Sequence, residues 1–264
     1  MPAVHLVLHT SLIFGIALVL FRVLGFFILA PVLSHQAIPG FVKFHLGLAL
    51  ALAVYPLVQA RITVPTSLEA MLFAVGIEVA SGLILGFGAW LTMIAIELGG
   101  QVIGIQMGFG TAGLMDPQLE TTVSLLAALE GVLAMTLFLV VSLHHEWIAL
   151  CVKSYQLIPA QLNAKVTLLM NEHIMKSLLD ATSQVFWVGV QMALPFTMIL
   201  LGVQALLAIL ARVLPHMNIF VLSFPVTILA GLLVFWTLAP DVVGEIQNVL
   251  RSGVAETLDL LRQV

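Results

Sequence analysis

Charge is scarce in this 264-residue sequence: Asp, Glu, Lys and Arg make up 8% of it. Soluble domains carry roughly 25%, so a chain folded for water is excluded, whatever its length would allow. The nine basic and thirteen acidic residues are spread thinly, for a net charge of −4. No basic cluster points to nucleic acid and no acidic run to a disordered arm. The single cysteine, Cys151, excludes an internal disulfide and gives no basis for a cysteine-ligated metal. The sequence contains no G-x-S-x-G, H-E-x-x-H or P-loop pattern, so nothing in it argues for an enzyme. No Lys or Arg precedes Arg22. Without the basic start of a cleaved signal peptide, the first apolar run is expected to be retained.

What the sequence has in abundance is apolar residues, 61% of the chain. A transmembrane helix needs about 20 of them in succession to cross a core about 30 Å thick. Six segments qualify: Val4–Leu33, Phe44–Ala60, Leu68–Leu98, Thr121–Cys151, Ala181–Ala211 and Val213–Pro240. The expected fold is an all-α membrane protein, a single integral-membrane domain over residues 1–264. The segments are not simple spans. Ala181–Ala211 as one helix would be roughly 46 Å long at about 1.5 Å per residue. Pro195 lies near its middle, and Pro31, Pro56 and Pro225 interrupt other runs, each removing a backbone hydrogen bond. Broken backbone at membrane depth survives where protein or a water-filled cavity covers it. Kinks in a tilted bundle and bent hairpins inside a larger assembly both fit. From Asp241 onward, Val243, Ile246, Leu250, Val254, Leu258 and Leu261 recur at helical spacing. Residues 241–264 are therefore expected to form an amphipathic helix on the bilayer surface or on a partner.

Polar groups inside these runs are candidates for function. Glu78, Glu97 and Glu130 sit in apolar surroundings, where a charge is expensive and faces a partner or a pathway. Gln184 and Gln191 share a helix face, as do Glu97 and Gln101 if their helix continues that far. Interhelical hydrogen bonding explains such groups more simply than a proton relay. Gly82 and Gly86, and Gly104 and Gly108, have the spacing of close helix packing. His5 with His9, and His144-His145-Glu146, have the spacing of metal or haem ligands, but they lie near the ends of apolar runs and interfacial histidines explain them equally well; no cofactor is expected. Lys153, Lys165 and Lys176 favour a cytoplasmic connection there.

The stretch GGQVIGIQMGFGTAGLMDPQ, Gly99–Gln118, stands apart. It is apolar and uncharged up to Asp116, and it is too glycine-rich to be a stable helix in water. It reads as a loop.

Four passages together resemble the FliR family. FRVLGFFILAPVLSHQAIPGFVKFHLGLALALAVYP carries the layout Arg22, Ala30-Pro31, Ile38-Pro39, Lys43 and Tyr55-Pro56, and Gly99–Gln118 is similar to that family's central segment. FLVVSLHHEWIALCVKSYQLIP matches at Phe138-Leu139, His144, Ser154-Tyr155 and Pro159. MNIFVLSFPVTILAGL matches at Asn218, Phe220, Phe224-Pro225 and Gly231. The resemblance covers nearly the whole chain in order. It implies a core subunit of the type III protein export gate in the bacterial inner (cell) membrane, at the flagellar basal body. The implied assembly contains FliP-like and FliQ-like subunits and a FlhB-like export protein. They form a helical, pore-like channel of bent hairpins through which unfolded subunits pass.

On this resemblance the central segment is a plug that closes the channel at rest. Its residues are Ile105, Gln106, Met107, Gly108, Phe109, Gly110, Leu114, Met115, Asp116 and Pro117. A conduit wide enough for unfolded protein needs a dry constriction that excludes water, and thioether side chains adapt to passing chains of varied shape. Arg22, Glu78, Glu97, Gln101, Glu130, Gln184, Gln191 and Asn218 are expected to be buried polar or assembly residues. The competing reading of the stretch is a re-entrant loop packed on neighbouring helices. The competing reading of the chain is a secondary transporter, which shares broken helices and intramembrane acids but usually shows two related halves, and no convincing repeat is present. The uncharged GQVIGIQMG leans to flagellum over injectisome, whose relatives tend to carry charge there.

Overall fold

A computed structural model describes residues 2–63, 65, 67–109, 125–158, 172–216 and 218–262, with side chains described from residue 12 onward except at 125, 172–175 and 220. The described residues form seven α-helices: α1 (Pro2–Leu29), α2 (Gly40–Val58), α3 (Leu68–Met107), α4 (Leu125–Val140), α5 (Leu143–Leu157), α6 (Glu172–Val213) and α7 (Ile219–Arg262). A 3-10 turn, Gln59–Arg61, follows α2, and there is no strand among the described residues. Five helices are long and apolar enough to cross a membrane, or six spans if α4 and α5 count as one broken span. The chain is an all-α membrane protein.

Several boundaries differ from the sequence reading, α6 beginning at Glu172 rather than Ala181, and four differences have a local reason. The first helix stops at Leu29, because Pro31 disfavours helical backbone at the residue before it. The third continues through Gly99 and Gly100 to Met107, so the expected loop is helical over its first part. Glycine loses its helix penalty where packing against other helices replaces water. The fourth segment is two helices, broken where Ser142 takes a left-handed φ of +59°. The last apolar run and the amphipathic tail are one helix of 44 residues across Pro225 and Pro240. The tail's apolar face is covered by the chain itself: Ile246, Leu250 and Leu261 are buried, and Gly88 of α3 leaves room for Thr257. Val243, Val254 and Leu258 on the same face are half-buried.

The chain divides into two compact units. The first comprises residues 1–91, 142–181 and 251–264. Here α1 and α3 meet backbone to backbone. A Cβ added to Gly82 would fall on the Arg22 carbonyl oxygen, one on Gly86 would lie 2.7 Å from the Phe26 oxygen, and one on Gly25 would lie 2.7 Å from the Val79 oxygen. Without an apolar driving force between helices in lipid, such close approach is what makes dispersion attraction large enough to hold them. Tyr55 of α2 lies over Gly15 of α1, and Phe26 stacks on Trp147 of α5 with ring centroids 6.3 Å apart.

The second unit comprises residues 92–141 and 182–250. Small residues again set its packing. A Cβ on Gly100 of α3 would stand 2.7 Å from Ala127 Cα of α4, and one on Gly189 of α6 would stand 3.0 Å from the Ala95 oxygen. Phe196 of α6 meets Phe235 of α7 with centroids 6.1 Å apart.

The first unit is pinned by one ion pair. Arg22 and Glu78 are both 0% exposed, and Arg22 Nε donates to Glu78 Oε2 at 2.6 Å. Arg22 Nη1 donates to Ser154 Oγ at 2.8 Å, and Nη2 donates to the Ile158 carbonyl at 3.1 Å. The guanidinium carbon lies 3.7 Å from the centre of the Tyr155 ring. One side chain of α1 therefore ties α3 to α5 and the residue after it. Because each partner of a buried pair is stranded by loss of the other, Arg22→Met alone should lower unfolding stability by about 3–5 kcal/mol. Arg22→Met with Glu78→Met should recover much of that loss. Reversible unfolding of the purified chain in detergent measures both, and additive losses would show that the pair does not act as a unit.

Candidate functional site

The region of interest is the C-terminal end of α3, where the glycine-rich stretch begins. A helix ends with carbonyls that have no partner in the helix, and burying them requires other donors. The second unit supplies two. Gln204 of α6 donates its Nε2 to the Gln106 carbonyl at 3.2 Å, with the Gln106 side-chain oxygen at 3.5 Å. Thr227 of α7 holds its hydroxyl 3.1 Å from the Met107 carbonyl, sharing its one proton with the Ser223 carbonyl of its own helix at 2.9 Å. Met107 is 0% exposed. It fills a notch in α7 that exists because residue 231 is glycine, where a Cβ would stand 2.5 Å from Met107 Cγ. The chain then turns at Gly108, whose φ is +92°, a region that side-chain-bearing residues rarely enter. Its N–H donates to the Ile105 carbonyl at 3.0 Å.

The sequence-expected plug residues thus divide. Gln106, Met107 and Gly108 are the anchored base of the segment, and Met107 packs within the chain. Ile105 is 58% exposed, while Phe109 is half-buried. Gly110, Leu114, Met115, Asp116 and Pro117 lie outside the described residues. Gln204, Thr227 and the notch at Gly231 complete the anchor. Sequence reasoning missed Gln204 and Thr227, because a polar residue in an apolar helix does not announce which distant carbonyl it will cap.

The expected buried polar residues have several fates. Arg22 and Glu78 form the pair in the first unit. Glu130 of α4 is 1% exposed. Glu97 and Gln101 do share a face, since α3 continues past both; Glu97 is exposed, and its carboxylate lies over Gly131, where a Cβ would be 3.3 Å from Oε1. Gln184 and Gln191 on α6 are exposed. Asn218 is not buried: it is exposed, and its Oδ1 accepts from the Val221 N–H at 3.4 Å at the start of α7. Its place in the motif is that of a helix N-cap; like Glu97, Gln184 and Gln191 it is not buried within this chain. Of the histidines, His144 and His145 adjoin with ring centroids 4.1 Å apart. Among the described residues no group of three His, Cys, Asp or Glu could hold a metal ion.

Comparison with known proteins places this architecture. The family described as bacterial export proteins, family 1, matches residues 13–253. The flagellar biosynthetic protein FliR of Escherichia coli K12 is 30% identical over 244 residues, covering 90% of this chain and 91% of that one. The protein of the same name from Bacillus subtilis is 28% identical over 251 residues, 94% of each chain. The Yop proteins translocation protein T of Yersinia pestis is 27% identical over 218 residues, 79% of each. Helices that cross a membrane, a glycine-rich segment rooted in the fold and a match running nearly from end to end all agree, and the chain belongs to family 1 of the bacterial export proteins.

Proposed function

We propose that this chain is a membrane subunit of a type III export gate, of the flagellar kind. It forms part of the conduit for unfolded subunits beside FliP-like and FliQ-like neighbours and a FlhB-like export protein in the bacterial cell membrane. It has no catalytic step of its own. The similarity to flagellar relatives extends over 82–94% of the chain, against 79% for the Yop translocation protein. That difference and the uncharged GQVIGIQMG favour the flagellum.

The observation that carries the oligomeric part of this reading is the surface of α6. Exposed apolar side chains run along it from Leu179 through Trp187, Met198 and Leu206 to Val213. That is about 51 Å of helix at 1.5 Å per residue. A hydrocarbon core about 30 Å thick, crossed at the steep limit of about 40° tilt, covers only about 39 Å of helix. The remainder needs cover from protein. Coexpressed with FliP-like and FliQ-like neighbours and extracted in mild detergent, the chain should migrate in native mass measurement as part of a large complex. A monomer or homodimer indifferent to those neighbours would overturn the reading.

Within that assembly, the segment from Ile105 to Pro117 closes the conduit at rest. Its support is the anchored base: a plug has to be held at one end by the wall and free to turn aside at the other. Capped carbonyls and Met107 in its notch supply the first, and Gly108 supplies the pivot. Deleting residues 109–117 leaves that base in place and should make membranes carrying the assembled complex leak ions. Unchanged permeability in a complex of full mass would sink the plug. Gly231→Leu, which displaces Met107, should give an intermediate leak with assembly intact.

A further inference from the structure

The second unit holds a cavity of about 360 Å³ whose polar lining is entirely acidic or neutral: Glu130, Asp241, Glu245 and Gln191. Asp241 and Glu245 stand one turn apart on α7 and are exposed, as is Gln191, so they form the mouth. Glu130 lies deep. It is 1% exposed, and neither carboxylate oxygen has a hydrogen-bond partner among the described residues. Its Oε2 rests against Gly99 and Gly100, where added Cβ atoms would lie 3.8 and 2.9 Å away. The two glycines that α3 carries through its helix thus make room for this carboxylate. No Lys, Arg or His lines the cavity, and its remaining wall is apolar, including Met192 and Phe196.

A buried carboxylate without a partner is among the costliest features a fold can keep, and in a membrane protein it faces a pathway or a partner. The shape of this cavity selects between them. It is far larger than a bare ion requires, and the described acids do not converge as metal ligands. Acids at the mouth, apolar walls and a single buried acid at the floor match a long side chain with an alkyl stem and a cationic head. We propose that this cavity receives a lysine or arginine side chain from a neighbouring subunit of the export complex, with Glu130 as its counter-ion. The proposal rests on the chain being one subunit of such a complex and is independent of the plug.

Glu130→Gln tests it, because the two states should respond in opposite directions. The purified chain alone should unfold at the same or a higher temperature, since a buried carboxylate without a partner is replaced by a neutral amide. The complex with its neighbours should be recovered at about one-tenth of the wild-type yield or less at equal expression, because the incoming cation loses its counter-charge. A photo-cross-linking residue in place of the exposed Gln191 should couple to a neighbour's peptide that contains Lys or Arg. Wild-type yield of complex from Glu130→Gln overturns the proposal while leaving the export-gate reading intact. If export then slows in a complex of normal yield, a proton-carrying role takes its place. Cross-links confined to lipid, or to segments without a basic residue, also overturn it. Failure of the wild-type chain to form any complex overturns both readings.

Discussion

The buried Arg22–Glu78 pair is the constraint on which the first unit depends. A guanidinium at that depth is tolerable only when most of its donors are used. Glu78, Ser154 and the Ile158 carbonyl use them, while Tyr155 covers its face. Those four partners come from two different parts of the chain, α3 and the end of α5, far apart in sequence. The same α1–α3 contact is closed by Gly25, Gly82 and Gly86. Charge and small size therefore serve one end: glycines bring the backbones together, and the ion pair fixes which residues face each other. Glycine contacts alone would permit sliding along the helix axis, whereas a paired guanidinium has one position.

The second unit is built on another logic. Its helices also meet at glycines, but its described contacts around the end of α3 are neutral: an amide, a hydroxyl and a thioether in a notch. Its buried carboxylate, Glu130, has no such completion among the described residues. A fold that satisfies Arg22 with four partners and leaves Glu130 with none treats the two groups differently. The first belongs to the chain's own architecture, and the second is consistent with a surface finished by another molecule.

Much of this was legible in the sequence. Charge scarcity and six long apolar runs are enough for an all-α membrane protein, because hydrocarbon admits few alternatives to helices. The four-residue spacing of Gly82 and Gly86 pointed to close packing, whereas Pro195 did not interrupt its run, since α6 continues through it. The extent of helix was harder to read. Gly99 and Gly100 look like helix breakers by propensity, yet α3 runs through them because packing against Ala127 and the Glu130 carboxylate needs the absence of a side chain. Asn218 is singled out by the family motif, which does not show that it caps the helix it precedes. Glu78 and Glu130 look alike in sequence, as lone acids in apolar stretches. Only the positions of Arg22 and Ser154 separate them, and those depend on contacts across more than fifty residues.

The anchor at the end of α3 has one further property. Gln204, Thr227, Met107, Gly108 and Gly231 include no group that gains or loses a proton between acid and mildly alkaline conditions. The anchor therefore has the same strength on either side of a membrane that maintains a proton gradient. A change of pH leaves the contacts that hold the end of α3 as they are.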